Sequence, residues 1–175
     1  YSANDCRLRA ERIRMGAHIV GAADLDRPIV RRKSVAARSD GMMKAVIDCA
    51  EFGTFVTDEP VRHGGTGEGP SPLQAVLGAL CGCESVTFYR TAQEKGFAYD
   101  GIDFEGEFTI DIRGRMGHAG VRPHFQTVRM QATVTTEETE ERLREVVEET
   151  ERRCPVYNLL HDADVKIETA WVRRG

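Results

Sequence analysis

An α+β fold, with helices packed on antiparallel sheet, is what this sequence predicts. Three observations carry the prediction. Short extended runs separated by turn residues fill positions 30–57, a long apolar helix opens at Pro72, and two long strands precede an amphipathic helix and a last strand. The 175 residues are enough to bury a substantial core, and 41% of them are apolar.

Residues 1–29 read as a basic extension, and the main domain is expected over 30–175. The first 33 residues hold eight basic and four acidic side chains and little apolar alternation. A short helix over 10–19 and a loop ending near Pro28 are expected there. Extended runs at 30–38 and 43–49 flank Ser39-Asp40-Gly41, and Asp-Gly between two such runs is a hairpin signal. A third run, 55–57, follows a turn at Gly53, and 60–70 is a loop by composition.

The strongest helix signal covers 72–96. Ser71 suits the N-cap, Pro72 the first helical position, Gln74 the capping box, and Gly96 the stop. Between Leu73 and Cys83 only Gln74 is polar, so this half is expected to be buried on nearly all sides. Ala75, Gly78, Ala79 and Gly82 form a stripe of small residues at helical spacing, suited to close backbone approach. Strands are expected over 102–113 and 125–135, joined by a Gly-rich connection from Gly114 to Pro123. Thr135-x-x-Glu138 reads as a second capping box, opening a helix that runs to Arg153 and stops at Pro155. One face of it carries Leu143, Val147, Thr150 and Cys154. A final strand is expected over 165–172.

Composition excludes several function classes. A net charge of −4 argues against a general nucleic-acid binder. No stretch approaches the ~20 apolar residues of a membrane span. Five irregularly spaced cysteines are not a secreted disulfide framework, so a reducing, cytoplasmic setting is expected. Cys81 and Cys83, two apart on a helix, point ~200° away from each other and cannot grip one metal. The five histidines have no ligand spacing, and no metal or cofactor is expected. The glycines of 64–69 lack both phosphate-loop and dinucleotide spacing.

Single thiols remain. Cys154 follows Arg152 and Arg153, whose charge favours a thiolate, while a helix C-terminus opposes it. Cys83 lies mid-helix in an apolar run, where burial raises a thiol pKa. The plainer alternative is that both are small core residues.

Gly69-Pro70-Ser71-Pro72, followed by a small-residue helix with Cys83 eleven residues after Pro72, resembles the osmotically inducible protein C (OsmC) and organic hydroperoxide resistance (Ohr) family. Cys154-Pro155-Val156 matches its second landmark. The resemblance covers about residues 30–173. It implies an intertwined homodimer with two active sites at the subunit interface, acting as a thiol-dependent peroxidase. Carried over, Cys83 attacks an organic hydroperoxide, Cys154 resolves the resulting sulfenate as a disulfide, and a dithiol reductant regenerates both. Arg38, in Ala-Ala-Arg-Ser-Asp-Gly, matches the arginine that holds the thiolate, and Arg62 is the substitute. Leu77, Leu80 and Phe88 are expected to offer the apolar surface that favours organic peroxides.

One position departs from the family. The glutamate that pairs with the arginine directly after the helix-opening proline is Leu73 here. The acid two residues after that proline in other branches is Gln74. Glu51, Glu68 and Glu84 are the candidate replacements. The same departure supports an alternative, a binding or redox-sensing protein that holds a lipophilic small molecule on the same fold. A third reading has the basic arm recruiting a partner.

Overall fold

The structure, a computed structural model, describes residues 27–175, and Ala36–Gly175 form one compact unit. The helix expected over 10–19 lies outside the described residues, as do Cys6 and His18. Residues 27–35 carry no helix or strand, so the first strand begins at Ala36 rather than at residue 30.

The hairpin forms where the Asp-Gly signal puts it. β1 (Ala36–Ser39) and β2 (Ala45–Asp48) pair antiparallel around a turn in which Gly41 has φ +89°, and the Asp40 carboxylate accepts the Met42 N–H at 3.1 Å. β3 (Thr54–Thr57) completes this sheet in the order β1-β2-β3. Much of its surface is open: Val46, Phe55 and both methionines of the turn are exposed.

The loop after β3 is built around one buried carboxylate. Asp58 accepts the N–H of Glu59 (2.8 Å), Thr66 (2.9 Å) and Glu68 (3.2 Å) and the Thr66 hydroxyl (2.7 Å), which holds its pKa well below the usual carboxylate range. Gly65 is required here, because a Cβ at that position would lie 1.9 Å from the Glu59 carbonyl oxygen.

α1 (Pro72–Lys95) has the expected cap. Ser71 accepts the Gln74 N–H while the Gln74 side chain accepts the Ser71 N–H, and Gly96 closes the helix in the left-handed conformation. Only one face is buried, along Leu80, Glu84, Phe88, Thr91 and Ala92. Val76, Gly78, Ala79, Gly82, Val86 and Tyr89 are open, contrary to the expectation of near-complete burial. At Gly78 and Gly82 of the small-residue stripe an added Cβ would meet nothing within 4 Å among the described residues.

β4 (Gly101–Ile110) and β5 (Phe125–Thr135) pair antiparallel. The first ends three residues earlier than expected, and Asp111 caps a single turn, α2 (Ile112–Arg115). α3 (Glu140–Arg153) opens at Thr139, which accepts the Arg142 N–H, not at Thr135. The acid of the expected box, Glu138, instead accepts the Ala98 N–H at 3.2 Å. A further helix, α4 (Pro155–Asp162), was not foreseen. It begins at the proline that ends α3, since proline is as suited to a first turn as it is unsuited to an interior.

β6 (Lys166–Arg174) pairs parallel to β5, which corrects the expectation of antiparallel sheet throughout. The reason is the α3–α4 crossover: a chain that leaves one end of β5 and returns through helices enters the sheet in the same direction. β5 is the central strand, with Val128, Met130, Ala132 and Val134 buried in alternation. Leu80, Phe88, Leu143, Val146 and Leu160 of α1, α3 and α4 pack on this face, and Trp171 stacks on Phe88 with ring centroids 5.2 Å apart. No described helix is long and apolar enough to cross a membrane.

Candidate functional site

Cys83 sits in the middle of α1, partly buried, and its carbonyl accepts the Thr87 hydroxyl at 2.8 Å. Cys154 is fully buried at the joint between α3 and α4. Its extended backbone (φ −68°, ψ 115°) is the conformation imposed by the proline that follows. The joint is fixed by Asn158, whose side-chain amide donates to the carbonyls of Glu151 (3.0 Å), Arg152 (3.3 Å) and Cys154 (2.8 Å). The packing of α1 on this joint brings the two thiols together: the Cys154 side chain meets both Cys83 and its chain neighbour Glu84.

The electrostatics differ from the sequence expectation. Burial pushes the Cys154 thiol up to about 12, the Cys83 side chain and the Glu84 carboxyl push the same way, and only the Tyr157 backbone N–H opposes them. Arg152 and Arg153 do not favour a thiolate, because both are taken up in ion pairs. Arg152 binds Glu149 at 2.6 Å, and Arg153 binds Glu94 at 2.5 Å and also Glu149.

Glu84, one of the three acids named as candidate replacements for the missing glutamate, is the one that comes to lie beside Cys154. It is fully buried, and neither carboxyl oxygen has a hydrogen-bond partner among the described residues. The Cys154 thiol is its neighbour, but no aligned hydrogen bond joins the two. Burial raises it from 4.5 to about 7; the contact with Cys154 works against this, and the negative charge of Glu151 adds to it. The signal was present as position: Glu84 lies one turn from both Leu80 and Phe88 on the core stripe, where an acid is out of place.

The remaining expected residues are elsewhere. Arg38 lies on β1 opposite Val46, exposed and without a hydrogen bond or ion pair among the described residues. Arg62 is exposed in the turn Val61–His63. Of the replacement acids, Glu51 is exposed and Glu68 binds Lys44 at 3.2 Å, which leaves Glu84 alone beside the thiols. Gln74 is engaged by the helix cap, and Leu73 packs on the core. Leu80 and Phe88 are core residues with no exposed surface, so of the three expected to face substrate only Leu77 is partly open. Burial also raises the pKa of Cys81, and Glu84 adds to the effect. Among the described residues no cluster of His, Cys, Asp and Glu is placed to hold a metal ion. Two surface grooves, one across β4, β5 and β6 and one between α3 and β6, include neither thiol.

The same arrangement of elements recurs in solved structures. An OsmC-like protein from Mycoplasma pneumoniae superposes with a TM-score of 0.73 at 18% identity, covering 84% of this chain and 100% of that one. An organic hydroperoxide resistance protein OsmC from Legionella pneumophila gives 0.62 at 15% identity, over 83% and 99%. The organic hydroperoxide resistance protein OhrB of Bacillus subtilis gives 0.56 at 18% identity, over 82% and 99%. At these identities the likeness concerns the fold. Curated proteins yield no significant match. The family model for OsmC-like proteins matches residues 65–170, more than half of the chain and inclusive of both thiols. On that match, with the fold in agreement, the chain belongs to the OsmC-like protein family.

Proposed function

We propose that this protein is a thiol-dependent peroxidase that reduces organic hydroperoxides to alcohols. The observation that carries the reading is the meeting of Cys83 and Cys154 across α1 and the α3–α4 joint, in a chain of the OsmC-like family. Two structural neighbours bear the name organic hydroperoxide resistance protein, which supports the substrate class.

The Cys83 thiolate attacks the outer peroxide oxygen and the O–O bond breaks. The alkoxide leaves and takes a proton as alcohol, and Cys83 becomes a sulfenic acid. Cys154 then attacks the Cys83 sulfur, which forms the disulfide and releases water. A dithiol reductant restores both thiols and leaves as its own disulfide. The partly buried Cys83 favours a substrate that can desolvate with it.

A thiolate at Cys83 requires a cation, and none bonds to either thiol among the described residues. We assign that role to Arg38, supplied by a second copy in a homodimer. The open α1 face and the exposed apolar side chains of β1–β3 are the surfaces such a copy would cover. The missing cation is also what favours the alternative, a redox-sensing binding protein for a lipophilic molecule.

Peroxide consumption decides between them. Reduced protein supplied with cumene hydroperoxide and a dithiol should turn over. Cys83→Ser should abolish consumption, and Cys154→Ser should leave Cys83 to overoxidise to the sulfinic acid. If the wild-type protein consumes no organic hydroperoxide, the peroxidase reading is wrong.

A further inference from the structure

The core stripe of α1 is interrupted by one carboxyl group. Glu84 has no exposed surface and no hydrogen-bond partner for either oxygen among the described residues, with Leu80 and Phe88 one turn away on each side. An unpaired buried carboxyl is costly, whereas an apolar side chain carries no such desolvation cost. The groups that act on it or feel its charge are few. Cys81 lies on its own helix, Glu151 and Cys154 come from the end of α3, and Tyr157 comes from α4. From β6, Thr169 and Trp171 donate to Glu151, at 2.6 Å and 3.1 Å, and not to Glu84. No arginine, lysine or histidine pairs with it among the described residues.

We propose that Glu84 is the proton acceptor that activates Cys154 when the Cys83–Cys154 disulfide forms. The Cys154 proton passes to the Glu84 carboxylate while the sulfur electron pair attacks the Cys83 sulfur. The S–O bond of the sulfenic acid breaks, and the departing hydroxide takes the proton back from Glu84 and leaves as water. The Cys83 sulfenate is reduced to the disulfide level and the Cys154 thiol is oxidised to it. The proton balance on Glu84 is zero.

The need for such a group follows from the site. Cys154 has no exposed surface, and burial holds its thiol protonated well above neutral pH, so it is a poor nucleophile without a base. The adjacent Glu84 carboxyl is buried with no hydrogen-bond partner for either oxygen, which raises it toward neutrality, where it can both accept a proton and return it.

The proposal rests on the peroxidase reading only for the source of oxidised Cys83. The test compares wild-type protein with Glu84→Gln and Glu84→Asp after mixing the reduced chain with cumene hydroperoxide between pH 5.5 and 8.5. Sulfenate is read by dimedone trapping and disulfide by mass spectrometry. In the wild type the closure rate should rise with pH and level off above about 7.5. Glu84→Gln should slow closure at pH 7 at least ten-fold relative to sulfenate formation and climb with pH without levelling, and Glu84→Asp should regain part of the plateau. An unchanged closure profile in Glu84→Gln, or equal slowing of both steps, overturns the proposal. If no sulfenate forms even in the wild type, the peroxidase reading fails by itself. Closure is then read after methyl methanethiosulfonate places a methylthio group on Cys83, with Cys154 displacing methanethiol. Loss of the plateau in Glu84→Gln supports the proposal there too, and its retention overturns it.

Discussion

Glu84→Gln should change how stability depends on pH, and the size of the change follows from the burial of the carboxyl. In the unfolded chain this group titrates near 4.5, and in the folded protein near 7. Between those values the native state holds one more proton than the unfolded state, so the stability of folding falls by ~1.36 kcal/mol per pH unit. The contribution is fully present below about 4.5 and is lost as pH rises through 7. Over the whole window the loss is about 3 kcal/mol, a sizeable part of the 5–15 kcal/mol that holds an ordinary domain together. Glutamine has no proton to lose and should not show this decline. The assay is urea unfolding of both proteins at pH 5, 6, 7 and 8, at fixed protein concentration and with excess reductant. The difference in unfolding free energy, variant minus wild type, should grow by about 2.5 kcal/mol from pH 5 to pH 8. Carboxylates held low, such as those of Asp58 and Glu149, titrate below this window and cancel between the two proteins. Parallel curves would mean that Glu84 is ionised or solvated in the native state, and the inference about Cys154 would lose its base.

Gly65→Ala should destabilise the protein by about 3 kcal/mol in the same assay, because the new methyl would overlap the Glu59 backbone carbonyl, which has no flexible side chain to give way. Wild-type stability in this variant would show that the Asp58 loop is looser than described. Gly78→Arg should leave the single chain folded, since a Cβ there meets nothing within 4 Å, but should shift a dimer to monomer in sedimentation velocity. A variant that sediments as the wild type does would remove the open α1 face from any interface between copies.

The sequence made some elements legible because their signals were local. The Ser71–Gln74 box, Pro72 and Gly96 fix both ends of α1 through atoms within a few residues of each other. The hairpin at Asp40-Gly41 is of the same kind. Errors arose where two local signals competed or where pairing was distant. Thr135, Thr136 and Thr139 all offer a hydroxyl near the start of α3, and only the fold decides that Thr136 donates to Ala98, at 2.6 Å, while Thr139 caps. The direction of β6 depends on the crossover that precedes it, a relation that strand patterns in isolation do not contain.

The site divides along the same line. Each cysteine could be placed on its helix from sequence, but their meeting is a tertiary fact, set by the packing of α1 on the α3–α4 joint. Arg152 and Arg153 show how misleading adjacency is. Next to Cys154 in the chain, they face Glu149 and Glu94, and the thiol they were expected to activate is held protonated by burial. Glu84 is the converse case. Beside Cys83 in sequence, it is one of three acids named as candidate replacements for a missing glutamate. Its helical position puts it inside, on the stripe of Leu80 and Phe88. There its carboxyl is near 7 because water is excluded, and the same exclusion raises the thiol it faces. One cause thus disables Cys154 as a free nucleophile and tunes the neighbouring acid to activate it. In the proposed cycle, the departure from the family at Leu73 and Gln74 concerns how Cys83 is held, and Glu84 addresses the other half, the closure of the disulfide.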